Sequence, residues 1–141
     1  MKRILVGIDG SPEAVAAAEK AADLAKAVGA QLHIAYVVPR RPPPGPEAYV
    51  PASDRHDLVE RHYAAALLHE AELRCARKGL VVDSETHTGP TAETLADVAD
   101  SGKFDLVVVG HRGRGGMRRT LLGSVADRLV QISHKPVLVV R

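Results

Sequence analysis

Two kinds of hydrophobic pattern alternate along the chain. Short, almost continuous apolar runs are typical of strands that are buried on both faces of a sheet. Between them lie longer segments in which small apolar residues recur at helical spacing. The runs predict five strands, at 3–8, 31–38, 80–88, 105–109 and 136–140. The segments between them predict four helices, at 12–28, 54–78, 91–100 and 124–133.

The ends of the first two helices are marked by residues that favour such positions. Ser11 is a capping residue, and Pro12 suits the first helical position. Gly29 and Gly79 follow the last helical residues, as C-terminal glycines often do. Alternation of strand and helix predicts an α/β fold with a mainly parallel sheet covered by helices on both faces. At 141 residues the chain has the length of one domain, here 1–141.

One segment interrupts this alternation. Residues 39–53 contain six of the nine prolines, so we expect no regular element there. The segment is too short to separate two folded units. A solvated tether, a stiff lid and a partner-binding segment are all compatible with its composition.

Composition excludes several classes of protein. A net charge of +2 and 3% aromatic residues do not predict nucleic-acid binding, because such binding needs a basic surface or stacking rings. No apolar run approaches the roughly 20 residues that cross a bilayer. The apolar start of the chain is also too short for a secretory signal. Cys75 is the only cysteine, so no intrachain disulfide can form, and we expect a cytoplasmic protein.

A glycine-rich loop follows the predicted strand 105–109 and leads into the helix that begins at Ser124. Glycines let backbone N–H groups approach a phosphate closely, and a helix N-terminus adds further N–H groups. Ser124 and Val125 would present such groups, and the Ser124 hydroxyl can donate a hydrogen bond. The loop also carries four arginines that would attract an anion: Arg112, Arg114, Arg118 and Arg119. Together these features predict a phosphate-binding loop.

A second candidate loop, 7–11, follows the first predicted strand. Ligands of open parallel sheets bind beyond the carboxyl ends of the strands, where strand order reverses. The carboxylate of Asp9 disfavours phosphate at that place. It can accept hydrogen bonds from ribose hydroxyls or an adenine amino group, or hold a metal that bridges to phosphate. An acidic loop and a basic loop together suit a nucleoside phosphate.

Plainer interpretations stay open at this point. The glycine-rich loop can be a simple connection, Asp9 can belong to the start of the helix, and the arginines can form a solvated face. Neither Gly-Lys-Ser/Thr nor Gly-x-Gly-x-x-Gly occurs at the spacing of the common phosphate-binding motifs. The histidines of the second helix lack the i, i+4 spacing of zinc sites, and Ser124 has no evident His/Asp pair that would make it a nucleophile. His111 can touch a phosphate or lie exposed.

The spacing Gly110-x2-Gly113-x9-Gly123-Ser124 resembles that of nucleotide-binding (ATP-binding) members of the universal stress protein family. Three further segments are similar to that family, at 2–11, 104–110 and 133–140. Because the matching segments occur in the right order, the resemblance covers nearly the whole chain. It implies a five-stranded parallel sheet in the order 3-2-1-4-5, which would bring Asp9 and Gly110 to one crevice.

The resemblance also implies which residues contact each part of the nucleotide. The adenine and ribose would lie against Ile8, Asp9 and Val37. The ribose and α-phosphate would lie against Val109, Gly110 and Gly113. The phosphates would be held by Arg114, Gly123, Ser124 and Val125. The implied ligand is ATP, AMP or ADP, with Mg²⁺ on the phosphates.

The implied assembly is a homodimer that pairs through the last strand, Val137–Val140. Such a protein would be a regulatory module of the stress response, whose nucleotide state is reported to an unknown partner protein. Two alternatives stay open. One is a slow ATPase, in which Arg114 or Arg118 with a metal would neutralise the leaving phosphate; the other is a dimeric scaffold without nucleotide. The sequence shows no clear general base beyond Asp9.

Overall fold

A computed structural model describes residues 1–39, 51–113 and 122–141, with the backbone alone over 51–57. Five parallel strands form one sheet in the order β3-β2-β1-β4-β5. The strands are β1 (Arg3–Ile8), β2 (Gln31–Val38), β3 (Asp83–Thr88), β4 (Leu106–Gly110) and β5 (Val137–Val140). The helices are α1 (Pro12–Val28), α2 (Pro51–Arg77), α3 (Thr91–Ser101) and α4 (Ser124–Ile132). The predicted fold class and strand order are confirmed.

Helices α1 and α2 cover one face of the sheet. Alanines line the inner side of α1 at helical spacing: Ala14, Ala17, Ala18, Ala21, Ala22 and Ala25. Side chains of this size let the α1 backbone approach the sheet closely. On α2 the buried residues Ala64, Leu68, Ala71 and Cys75 follow the same period. Cys75 is therefore a core residue, as its position on the apolar stripe predicts.

Helices α3 and α4 cover the opposite face. Successive residues of one strand point to opposite sides of a sheet. Within β1, Ile4 and Val6 accordingly belong to the core under α1, whereas Leu5 belongs to the core under α3 and α4. Both cores therefore rest on a single sheet. None of the helices in the described part of the chain is both long and apolar enough to cross a membrane.

Two predicted boundaries differ from the structure by three residues, and the others differ by one residue at most. Helix α2 begins at Pro51, three residues before the predicted start, because proline is tolerated in the first turn of a helix. Strand β3 begins at Asp83, three residues after its predicted start. The Leu80 N–H donates to the carbonyl of Cys75, so the chain is still completing the end of α2 there. The remaining residues of the proline-rich segment, 40–50, lie outside the described residues.

The sheet order sets the place of a ligand site. The chain builds β2 and β3 on one side of β1 and then crosses to build β4 and β5 on the other side. The connections after β1 and β4 therefore leave the sheet next to each other, and a crevice opens at that reversal. The loops that carry Asp9 and Gly113 meet there.

Candidate functional site

A cleft of about 620 Å³ lies at the carboxyl ends of β1, β2 and β4. This volume falls in the range of roughly 300–1,000 Å³ typical of small-molecule sites. The cleft is lined by nine of the ten residues predicted from the sequence: Ile8, Asp9, Val37, Val109, Gly110, Gly113, Gly123, Ser124 and Val125. The tenth, Arg114, lies outside the described residues, as do Arg118 and Arg119. The predicted residues thus meet in one place, while their part in binding stays a prediction.

Asp9 joins the start of α1 to the glycine-rich loop. Its Oδ1 accepts hydrogen bonds from the Ser11 N–H at 2.9 Å and the Ser11 hydroxyl at 2.6 Å. Ser11 in turn caps α1, because its Oγ accepts from the Ala14 N–H at 3.1 Å. The other carboxylate oxygen, Oδ2, lies against Gly113, where an added Cβ would come within 2.7 Å of it. Asp9 therefore belongs to the helix start and also faces the second loop.

Gly110 has a packing reason to be glycine. A Cβ at this position would lie 2.8 Å from the carbonyl carbon of Glu13 in the first turn of α1. Real Cβ atoms essentially never come so close to backbone. The sequence suggested phosphate approach as the reason for this glycine, and the structure supplies another, the close contact between β4 and α1.

Gly123 closes the base of the loop. An added Cβ would lie 3.0 Å from the Cα of Arg112 and 3.1 Å from the carbonyl oxygen of His111. The Gly123 N–H donates to that oxygen, and the His111 N–H donates to the carbonyl of Val140 at 2.8 Å. Both stems of the loop are therefore fixed to each other and to the end of β5.

The N-terminus of α4 opens into the cleft. Gly123 is its N-cap residue, and among the described residues no side chain caps the helix. The first N–H groups of an α-helix lack partners within the helix and carry a partial positive charge. Ser124 and Val125 lie in this first turn and line the cleft. The arrangement suits an anion.

Two charged residues of the cleft were not among the predicted site residues. Arg112 lines the cleft, and its Nε is shielded from solvent without a hydrogen-bond partner among the described residues. Asp127 lines the cleft from the first turn of α4, and its Oδ2 accepts from the Gln131 amide at 3.2 Å. From the sequence, Arg112 is predicted only as one of four loop arginines that would attract an anion, and nothing indicates Asp127. The direction of each side chain depends on the backbone of the loop and of the helix start.

The opposite end of the cleft is apolar. Tyr36 and Pro39 lie there at the end of β2, and Leu95 of α3 fills the space beneath Gly7. Tyr36 is buried and packs edge-on against Tyr63 of α2, with ring centroids 6.3 Å apart. Apolar walls of this kind suit a flat aromatic ring of a ligand. Within the described ranges, no three histidine, cysteine, aspartate or glutamate side chains are placed to hold a metal ion together.

The fold is that of an α/β protein with an open cleft at the reversal of strand order. The sequence matches the universal stress protein family over residues 1–141. It is 32% identical over 143 residues to a universal stress protein of Methanocaldococcus jannaschii, with 99% of this chain and 82% of the relative covered. The chain belongs to the universal stress protein family.

Solved structures agree with this assignment. The universal stress protein UspA from Lactobacillus plantarum superimposes with a TM-score of 0.85 at 27% identity, covering 99% of this chain and 97% of that one. A universal stress protein crystallised in complex with cAMP gives a TM-score of 0.71 at 30% identity, covering 99% and 96%. Family members of this fold thus include one with a bound adenine nucleotide.

Proposed function

We propose that this protein belongs to the nucleotide-binding members of its family and binds ATP, ADP or AMP in the cleft. The observation that carries the proposal is the meeting of two loops far apart in sequence, with Asp9 Oδ2 directly against Gly113. A carboxylate on one wall and a helix N-terminus on another provide opposite electrostatic environments for the two ends of one ligand. The relative crystallised with cAMP adds support, because cAMP is an adenine nucleotide.

The ligand would lie with its adenine at the apolar end and its phosphates at α4. Ile8, Asp9 and Val37 would contact adenine and ribose, and Val109, Gly110 and Gly113 would contact ribose and the α-phosphate. Further phosphates would be held by Arg114, Gly123, Ser124 and Val125. Mg²⁺ would be bound mainly by the phosphates, because the described residues hold no ready cluster of ligands for it.

Calorimetric titration with ATP tests the proposal. Gly123→Val should abolish binding, because its side chain would displace the backbone of His111 and Arg112 at the base of the loop. Gly29→Asn is a matched control: nothing lies within 4 Å of its Cβ position, and asparagine tolerates its left-handed φ of 70°. Equal ATP affinity in all three proteins would place the nucleotide elsewhere or nowhere. Circular dichroism would confirm that the Gly123 variant is folded.

We also infer that two copies of the chain pair through β5 and report the nucleotide state to a partner protein in the cytoplasm. The two edge strands of the sheet differ. Strand β3 reads Asp-Ser-Glu-Thr-His-Thr, and such polar edges resist pairing, whereas β5 reads Val-Leu-Val-Val. The shared sheet likewise supports the proposal that residues 1–141 form a single domain.

The hydrogen-bond pattern supplies a specific test of the dimer. Pro136 accepts a hydrogen bond from Val107 of β4, and Val140 accepts one from His111, which directly follows β4. Val137 and Val139 therefore direct their backbone groups away from β4, toward the open edge. Val139→Pro would remove an outward N–H without removing a donor to β4, and Val139→Ala would keep it. Analytical ultracentrifugation should give a dimer for the wild type and the alanine variant, and a monomer for the proline variant. A wild-type monomer at all concentrations would contradict the proposal.

Slow ATP hydrolysis is a second candidate function, and one observation favours it. Asp127 places a carboxylate at the phosphate end of the cleft, where a general base would be needed to activate water. If this carboxylate acts as the base, Asp127→Asn should lose phosphate release and keep ATP binding. Equal release by both proteins, or none above a protein-free control, would leave binding as the function.

A further inference from the structure

We propose that Arg112 is a phosphate-binding residue of the cleft, its guanidinium group pairing with a phosphate of the bound nucleotide. The inference rests on the proposed nucleotide site and adds a side chain to it. It also concerns the class of ligand, because a guanidinium group would favour phosphorylated nucleosides over the neutral nucleoside.

The first support is the unsatisfied donor. Arg112 Nε is shielded from solvent and has no hydrogen-bond partner among the residues that the structure describes. A buried charged donor without an acceptor is costly, so natural structures provide a partner for almost all such groups. Because Arg112 lines the cleft, an anion bound there would be that partner.

Other arginines of the described chain show what a satisfied guanidinium looks like here. Arg74 pairs with Glu19 and Glu70, each at 3.1 Å, and Arg128 pairs with Glu93 at 3.0 Å. Arg3 lies over the ring of Phe104 at 4.5 Å from its centroid. Arg112, which is half-buried and lines the cleft, has no such ion pair with any described carboxylate.

The second support is the fixed position of the Arg112 backbone. Its Cα lies 3.0 Å from the Cβ position of Gly123, so the residue is packed directly against the N-cap of α4. On its N-terminal side, His111 is held by hydrogen bonds from its own N–H to Val140 and from the Gly123 N–H to its carbonyl. Because the backbone is already held, binding a ligand there need not order this part of the loop, although the arginine side chain still loses rotamer freedom.

The third support is that Arg112 and the first turn of α4 offer complementary donors to an anion. The first turn of α4 offers N–H groups that point at one anion, and a guanidinium group offers planar, paired donors to the same kind of group. Phosphate has enough oxygens to accept from both at once. A lysine at position 112 would keep the charge and lose the paired geometry.

The test compares adenosine, AMP and ATP in calorimetric titrations of the wild type, Arg112→Ala and Arg112→Lys. We expect Arg112→Ala to weaken AMP and ATP at least tenfold and adenosine less than twofold, with Arg112→Lys intermediate. Arg128→Ala is the matched control, because it removes a guanidinium group from α4 outside the cleft and should bind all three ligands as the wild type does.

The outcomes distinguish the proposed role of Arg112 from the proposed nucleotide site itself. If Arg112→Ala binds AMP and ATP like the wild type, the inference is overturned while the nucleotide site stands. If it loses adenosine as strongly as AMP, Arg112 only supports the loop, and the inference is again overturned. A wild type that binds none of the three ligands contradicts the proposed function and, with it, this inference.

Discussion

Replacing Gly110 by alanine should destabilise the protein even when no nucleotide is present. The added methyl group would lie 2.8 Å from the carbonyl carbon of Glu13 and 2.9 Å from its oxygen. These are backbone atoms of α1, so the contact can be relieved only by moving the helix away from the end of β4. Overpacking of this kind costs about 1–3 kcal/mol.

Thermal unfolding of the ligand-free protein measures this cost. For a chain of this size, the expected loss lowers Tm by roughly 3–12 °C. Gly113→Ala is the matched comparison, because among the described residues its methyl group would meet side-chain atoms of Asp9 and no backbone atom. It should change Tm less and nucleotide affinity more. If Gly110→Ala unfolds at the wild-type temperature, our explanation of this glycine is wrong.

Three further changes have expected results. Ser11→Ala removes the cap of α1 and the hydroxyl that Asp9 accepts from, and should cost about 0.5–2 kcal/mol in urea denaturation. Leu95→Ala leaves a cavity beneath Gly7 and should cost about 2–5 kcal/mol in the same measurement. Hydrogen bonds from the Lys2 and Arg3 N–H groups lower the pKa of Asp105, so its contribution is present at neutral pH and lost as pH falls below about 4. Asp105→Asn should therefore lower the urea midpoint at pH 7 and much less at pH 3, and equal losses at both would contradict this assignment.

The sequence predicts much of the fold because local signals agree with the tertiary packing. Ser11 and Gly29 define α1 at both ends, and the observed helix has the predicted bounds. The start of β3 was not predictable, because Leu80 looks like a strand residue while its N–H bonds to the end of α2. The pairing of β3 with β2 begins at Asp83. This pairing is a tertiary property that no local pattern records.

The site was predictable as a set of loops and less so as individual contacts. Glycine spacing identified the loop that meets Asp9, and Gly110, Gly113 and Gly123 line the cleft as expected. The reasons for individual glycines depend on neighbours distant in sequence, such as Glu13 beside Gly110. The inward position of Arg112 depends on the path of the loop, which charge patterning alone does not determine.

Native mass spectrometry of the purified protein before and after addition of ATP tests the central claim most directly. A protein that binds adenine nucleotide in this cleft should take up one nucleotide per chain, or release one already bound when it is denatured. The Gly123→Val variant should show neither. A wild-type mass that stays at that of the bare chain when ATP is added, with no nucleotide released, would contradict the account.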